Sequence, residues 1–277
     1  CTAASDTMQI TYTNPPWVFA GNNKYICIGD NAPVNGIVLS ASGTGSWDTD
    51  GDGSFADASS LSTVYTPGTG DITAGYADLI LTSTGNGTCN PVSDTMRILL
   101  VVPPTVTAGS DQTACTNTPA ILNGSVSGTS TTGVWTSSGT GTFLPDSTTL
   151  NATYQPSSAD ATAGSVTLTL TSTNSCQVSD NLTLTVLAAP VVNAGADQVV
   201  CADATQITLN GSVSGITTTG IWSTNGTGSF DPGNTTMNAV YYITPADSLA
   251  GTVQFTLTST NNDVCNAVND VMILHIT

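Results

Sequence analysis

The sequence predicts an all-β chain of tandem sandwich modules in an extended rod, on three observations. A phrase built around tryptophan recurs at a fixed period: Gly45-Ser-Trp-Asp-Thr-Asp-Gly-Asp-Gly-Ser-Phe55, Gly133-Val-Trp-Thr-Ser-Ser-Gly-Thr-Gly-Thr-Phe143 and Gly220-Ile-Trp-Ser-Thr-Asn-Gly-Thr-Gly-Ser-Phe230. Segments such as Val166-Thr-Leu-Thr-Leu-Thr171 alternate apolar residues with threonine, the period of a strand with one wet face. Strong helix formers are nearly missing, with no Glu and only Lys24 and Arg97 as basic residues, beside abundant Thr, Ser, Val and Gly, so helix is expected to be close to nil.

The repeat sets the domain plan. Trp47, Trp135 and Trp222 stand 88 and 87 residues apart. Tyr65, Tyr154 and Tyr241 keep the period, as do Asp71, Asp160 and Asp247, each followed at the fourth position by Gly. Three full modules follow: residues 17–103, 104–189 and 190–277. Residues 1–16 read as the last strand of a preceding, truncated repeat, because Cys1-Thr-Ala-Ala-Ser-Asp-Thr-Met8 matches Cys89-Asn-Pro-Val-Ser-Asp-Thr-Met96. Six to eight short strands in about 88 residues, with Trp on an early-middle strand, fit a two-sheet sandwich of immunoglobulin type. Asn14-Pro15-Pro16, Val102-Pro103-Pro104 and Ala188-Ala189-Pro190 are short, stiff junctions.

Six of the seven cysteines fall one early and one late in each module, and Cys1 precedes them as the late cysteine of the truncated repeat. Pairing within modules gives Cys27–Cys89, Cys115–Cys176 and Cys201–Cys265, with Cys1 joined to a cysteine outside the chain. Such regular pairing points to an oxidising, extracellular setting. The absence of a CxxC spacing and the single His275 argue against zinc.

Charge excludes several partners. Nineteen acids, all Asp, against two basic residues give a net charge of −17, so nucleic acid and anionic membrane surfaces are poor partners. No apolar run approaches the roughly 20 residues of a membrane helix, so no membrane insertion is expected. The first residues are polar, which places any export signal outside the chain.

Asp48-Thr-Asp50-Gly-Asp52-Gly53 is the strongest candidate site, with Asp57 close enough to contribute. Carboxylates at alternate positions followed by Gly can fold oxygens around calcium, the one cofactor the sequence suggests. A solvated acidic turn fits the same residues, since Thr136–Gly141 and Ser223–Gly228 take that turn without ligands. Asp6, Asp94, Asp180 and Asp270 recur at the start of the last strand and read as structural caps of the turn into it. The three repeat-phrase Trp read as core rather than as sugar platforms. No catalytic residues stand out: the cysteines read as paired, His275 lies in an alternating strand, and no carboxylate pair is apparent.

Ala108-Gly-Ser-Asp-Gln-Thr-Ala-Cys115, Ala194-Gly-Ala-Asp-Gln-Val-Val-Cys201, the two Leu-Asn-Gly-Ser-Val-Ser-Gly phrases (122–128 and 209–215) and Trp-x-x-x-Gly-Thr-Gly resemble the long repetitive surface adhesins of Bacteroidetes, including those of gliding motility. The resemblance covers nearly the whole chain. It implies type IX export, a secreted, cell-surface or extracellular-filament location, and spacer or adhesive roles. It also implies O-glycosylation at Asp-Thr/Ser-aliphatic triplets, making Thr7, Thr95 and Ser248 candidates.

Three functions follow from these readings. The first is a non-catalytic structural stalk or fibre segment of a secreted adhesin, whose partners are neighbouring repeats, other copies in a fibre, or surface polysaccharide. The others are a calcium-dependent carbohydrate- or surface-binding module and a spacer of a larger secreted enzyme.

Overall fold

The computed structural model describes residues 2–10, 12, 14–39 and 42–277. The chain divides into two compact units: residues 1–104 together with Asn174–Gln177, and residues 105–173 together with 178–277.

The first unit contains one sandwich of nine strands: β1 (Trp17–Phe19), β2 (Lys24–Cys27), β3 (Ala32–Asn35), β4 (Ile37–Leu39), β5 (Thr44–Thr49), β6 (Ser54–Phe55), β7 (Ser62–Thr66), β8 (Tyr76–Thr84) and β9 (Ser93–Val101), with helix α1 (Thr69–Ala74) before β8. One sheet has the order β2-β9-β8-β5; facing it, β3-β7-β6 continues through the β1–β4 pair. The initial strand is split: β1 runs antiparallel to β4, whereas β2 crosses to the other sheet and runs parallel to β9. Two sheets with a shared, split first strand are the immunoglobulin arrangement the repeat suggested.

The second unit repeats this plan twice. Its first sandwich comprises β10 (Thr105–Thr107), β11 (Gln112–Cys115), β12 (Ala120–Ile121), β13 (Ser125–Ser127), β14 (Gly133–Ser137), β15 (Thr142–Leu144), β16 (Thr153–Gln155), α2 (Ser158–Ala163), β17 (Ser165–Ser172) and β18 (Ser179–Leu187). The next comprises β19 (Val191–Asn193), β20 (Gln198–Val200), β21 (Gln206–Thr208), β22 (Ser212–Ser214), β23 (Gly220–Thr224), β24 (Ser229–Asp231), β25 (Val240–Tyr242), α3 (Pro245–Ala250), β26 (Thr252–Ser259) and β27 (Asn269–Ile276). Again β11 lies parallel to β18, and β20 to β27.

Each sandwich closes over its own hydrophobic core. In the middle one, Trp135, Tyr154, Leu168, Leu170, Leu182 and Leu184 are buried. Trp47 and Trp222 hold the same place in the other two, and all three indole N–H groups donate to backbone carbonyls: Leu61, Leu150 and Met237. A side chain of this size contributes about 2–3 kcal/mol on full burial, so the tryptophan is a main anchor of each core.

Reciprocal hydrogen bonds hold the crossing of the split strand. Asp180 accepts from the Ala108 amide at 2.8 Å, while Asp111 accepts from the Thr183 amide at 2.7 Å. Asp270 with Ala194 and Asp197 with Ile273 repeat the clamp, and Asp94 with Ala20 and Asn23 with Arg97 form its first-sandwich version. The Ala-Gly-x-Asp phrase therefore encodes the strand switch, with Gly21, Gly109 and Gly195 at positive φ. Asp94, Asp180 and Asp270, at the start of the last strand of each sandwich, thus bond to the strand crossing rather than to a turn beside them, whereas Asp6 accepts from the adjacent Thr7 amide.

One expectation differs from the structure. Helix is present as three six-residue segments, one per sandwich, each ended by a left-handed glycine (Gly75, Gly164, Gly251) and each holding a buried Asp in its first turn. These are the Asp and Gly landmarks of the repeat; the segments are too short for helix formers to mark. Among the described residues of 1–16, none is paired in a sheet. Met8, Ile10 and Tyr12 are 83%, 62% and 89% exposed, although the aligned Met96, Ile98 and Leu100 are core.

Candidate functional site

The chain's most organised polar constellation is the turn around the buried helix-cap aspartates. Asp160 is 2% exposed. Its carboxylate accepts from the Tyr154 hydroxyl (3.0 Å) and from the amides of Thr140 (2.8 Å), Gly141 (3.0 Å) and Ser157 (3.0 Å). Asp247 accepts from Tyr241, Thr227 and Thr244 in the same way, and Asp71 from Tyr65, Gly68 and Asp52. Gly-x-Gly is needed because a β-carbon at Gly139 would come 2.3 Å from Asp160, and one at Gly141 2.6 Å from the Tyr154 ring.

Electrostatics follow from that geometry. Burial pushes the Asp160 and Asp247 carboxyls up, but the converging backbone N–H groups outweigh it and hold both below the ordinary carboxylate value. Burial, reinforced by the neighbouring aspartate, pushes the Tyr65 and Tyr241 hydroxyls up to about 12 and raises Tyr154 as well. An anion satisfied by fixed donors is a structural device here: it joins turn, helix and core.

Of the four calcium candidates, Asp50 and Asp52 border one cleft with Asp71, and all four accept hydrogen bonds. Asp50 accepts from the Asp78 amide (3.0 Å), the task that Ser138 performs for Thr167 and Asn225 for Gln254. Asp52 accepts from the amides of Gly70 (2.8 Å) and Asp71 (3.1 Å) at the start of α1. Asp57 closes a turn onto Ser59, as Asp146 does onto Thr148. Asp48 accepts from the adjacent Thr49 amide. Among the described residues no group of three or more His, Cys, Asp or Glu side chains is arranged to hold a metal ion. Asp50 and Asp52 complete backbone hydrogen bonds at positions where uncharged residues stand in the other sandwiches, Ser138 and Asn225 for Asp50 and Thr140 and Thr227 for Asp52.

The two basic residues are also committed locally. Arg97 forms a bidentate pair with Asp78 and lies 4.2 Å from the centre of the Tyr76 ring; Lys24 donates to the Pro33 carbonyl. Thr7 and Thr95 are exposed, and Ser248, on α3, is half-buried with its hydroxyl 3.4 Å from the Ala202 carbonyl.

The disulfides are not those expected. Cys27 bonds Cys176, and Cys115 bonds Cys265, over separations of 149 and 150 residues. The expected pairs Cys27–Cys89, Cys115–Cys176 and Cys201–Cys265 are therefore corrected. Cys201 is an exposed thiol, Cys89 is half-buried in the β8–β9 loop, and the expectation for Cys1 lies outside the described residues.

The reason lies in the parallel pairing of the split strand. Cys115 sits beside Leu187, the last residue of β18, whereas Cys176 precedes the first, Ser179. Nine strand residues separate them by roughly 30 Å, far beyond the few ångströms a disulfide spans. Early and late cysteines thus lie at opposite ends of one sandwich, and the early cysteine of one meets the late cysteine of the next. Around Cys115–Cys265, Asn117 and Asn266 exchange hydrogen bonds: Asn266 N–H to Asn117 Oδ1 (3.1 Å), Asn266 Nδ2 to the Asn117 carbonyl (2.8 Å) and Asn117 Nδ2 to the Asn266 carbonyl (3.0 Å).

Fold and cross-links together define a protein of tandem immunoglobulin-like sandwiches. No family model matches the chain, and no curated protein does. Among solved structures, the chain is similar to a three-domain I67–I69 fragment of titin, at 13% identity and TM-score 0.44, covering 96% of this chain and 100% of that one. It is similar to immunoglobulin domains 1–5 of Sidekick-1 at 16% identity and TM-score 0.37, covering 96% and 60% of the two chains. Extracellular domains 3–5 of Drosophila OTK give 12% identity and TM-score 0.36, covering 93% and 95%. The strand order and register above define the fold.

Proposed function

We propose that the chain is a non-catalytic stalk segment of a secreted, repetitive cell-surface adhesin. The observation carrying this reading is the Cys115–Cys265 bridge, which joins consecutive sandwiches where an intradomain disulfide would only brace one. A cross-link at that position suits a protein that transmits load along its repeats in an oxidising medium. The buried helix-cap aspartates Asp71, Asp160 and Asp247 repeat in every sandwich, as a spacer of similar modules requires. The adhesin assignment adds the sequence resemblance, and with it surface export and glycosylation at Thr7, Thr95 and Ser248.

The test is immunolabelling of unpermeabilised cells with antibody raised against the oxidised chain. Label on the cell exterior or on filaments supports the reading; label appearing only after permeabilisation removes it.

A surface-binding role for the first sandwich is the second reading. Trp17 and Leu39 are 51% and 63% exposed and face each other across the β1–β4 pair, with Phe19 stacked on Trp17. The corresponding positions of the middle sandwich are Thr105 and Ser127.

A further inference from the structure

Cys201 occupies the same local structure as the two cysteines that already hold a partner. The residue after each donates its amide to the end of the last strand: Ile28 to Val101 (2.9 Å), Thr116 to Leu187 (3.0 Å) and Ala202 to Thr277 (2.8 Å). Each cysteine carbonyl then accepts from the amide three residues on, in Asp30 (2.9 Å), Thr118 (3.0 Å) and Ala204 (3.0 Å). In two of these three congruent turns the sulfur is bonded to the cysteine in the loop between the last two strands of another sandwich. In the third, the thiol is exposed. Asp203 stands where Asn117 stands, which keeps a side-chain oxygen to accept an incoming backbone amide, as Asn117 Oδ1 accepts from the Asn266 amide.

We propose that Cys201 is the receiving half of a third inter-repeat disulfide, and that its occupant is a further β-sandwich of this repeat type, docked end-on with its late cysteine. The inference rests on the stacking of consecutive repeats and is independent of the adhesin assignment. Oxidation proceeds by exchange with a disulfide oxidant, glutathione disulfide in vitro. The Cys201 thiolate attacks it, forming a mixed disulfide and releasing one glutathione thiolate. The incoming cysteine thiolate then attacks the Cys201 sulfur and releases the second. Two protein thiols and one glutathione disulfide thus become one protein disulfide and two glutathiones.

The test uses the full chain extended after Thr277 by a further copy of residues 190–277, and separately by a copy of residues 104–189. Both are refolded in a glutathione redox pair, alkylated and mapped without reduction by mass spectrometry. The expected result is a peptide joining Cys201 to the late cysteine of the appended repeat, with Cys201 alkylation lost in the chain extended by residues 104–189, which carries no second Cys201, and with Cys27–Cys176 and Cys115–Cys265 retained. In the Cys201→Ser version, the appended late cysteine becomes alkylatable. Cys201 remaining alkylatable in both extended chains, for whatever reason the repeat fails to dock, or linked to any other cysteine, overturns the proposal.

Discussion

Asp52 caps a helix that its own N-cap, Gly68, cannot cap. In the other two sandwiches the N-cap is Ser157 or Thr244, whose hydroxyl accepts from the Asp160 or Asp247 amide and contacts Thr140 or Thr227. In the first sandwich the hydroxyl is missing, and the longer Asp52 side chain, at the position of Thr140 and Thr227, reaches the Gly70 and Asp71 amides instead. A β-carbon at Gly68 would lie 2.1 Å from the Asp52 carboxylate, so the two residues are mutually dependent.

The first prediction follows from that dependence. Asp52→Thr and Gly68→Ser each lower the melting temperature of the first sandwich, while the double change, which installs the pattern of the other two, restores it. Calcium and chelator leave wild-type melting unchanged, because Asp50 and Asp52 are occupied by backbone amides. Thermal melts of the four proteins with and without calcium check both statements.

Stability should fall at both ends of the pH scale. Asp160 and Asp247 titrate below their ordinary value of 3.8 in the folded chain, so the unfolded chain takes up protons first as pH falls. Their contribution is complete above 3.8 and is lost as pH drops through the lowered folded values. Tyr65 and Tyr241, raised from 10 to about 12, act oppositely: their contribution is complete below pH 10 and lost as pH rises through 12. Denaturant melts across pH check this. Asp160→Asn, which removes the charge from the buried hydrogen bonds, should cost about 3 kcal/mol at neutral pH and flatten the acid limb.

The fold was legible because its markers are periodic: Trp135, Tyr154 and the Thr-Leu alternation of β17 each recur once per sandwich. The pairing of cysteines was not legible for the same reason. With one early and one late cysteine per period, pairing within a repeat and pairing shifted by one repeat leave the same spacing. Only the parallel register of Cys115 beside Leu187 separates them. The backbone partners of the acidic loop were not legible, because Asp50 and Asp52 accept from Asp78 and Gly70, which are distant in sequence.

The glycine of Leu122-Asn-Gly124-Ser serves packing: a β-carbon there would come 2.6 Å from the Trp135 ring, and at Gly211 2.5 Å from the Trp222 ring. Gly124→Ala should therefore cost about 1–3 kcal/mol through overpacking. Gly233→Ala, where nothing lies within 4 Å, should be nearly silent. Chemical denaturation of the two variants distinguishes a packing glycine from a turn glycine.

Mechanical extension tests the cross-link pattern directly. Through the two bridges found among the described residues, the shortest covalent path runs to Cys27, across to Cys176, back to Cys115, across to Cys265 and out. That path contains about 100 residues and extends to about 350 Å, against about 950 Å for the reduced chain. In a Cys27→Ser/Cys176→Ser chain the Cys115–Cys265 bridge survives, leaving the residues before Cys115 and after Cys265, about 125 in all, or about 440 Å. Pairing within repeats would leave only Cys201–Cys265 in that variant and would release about 210 residues, or about 740 Å. Single-molecule pulling from the two termini separates these lengths, and the longer value would refute bridging between sandwiches.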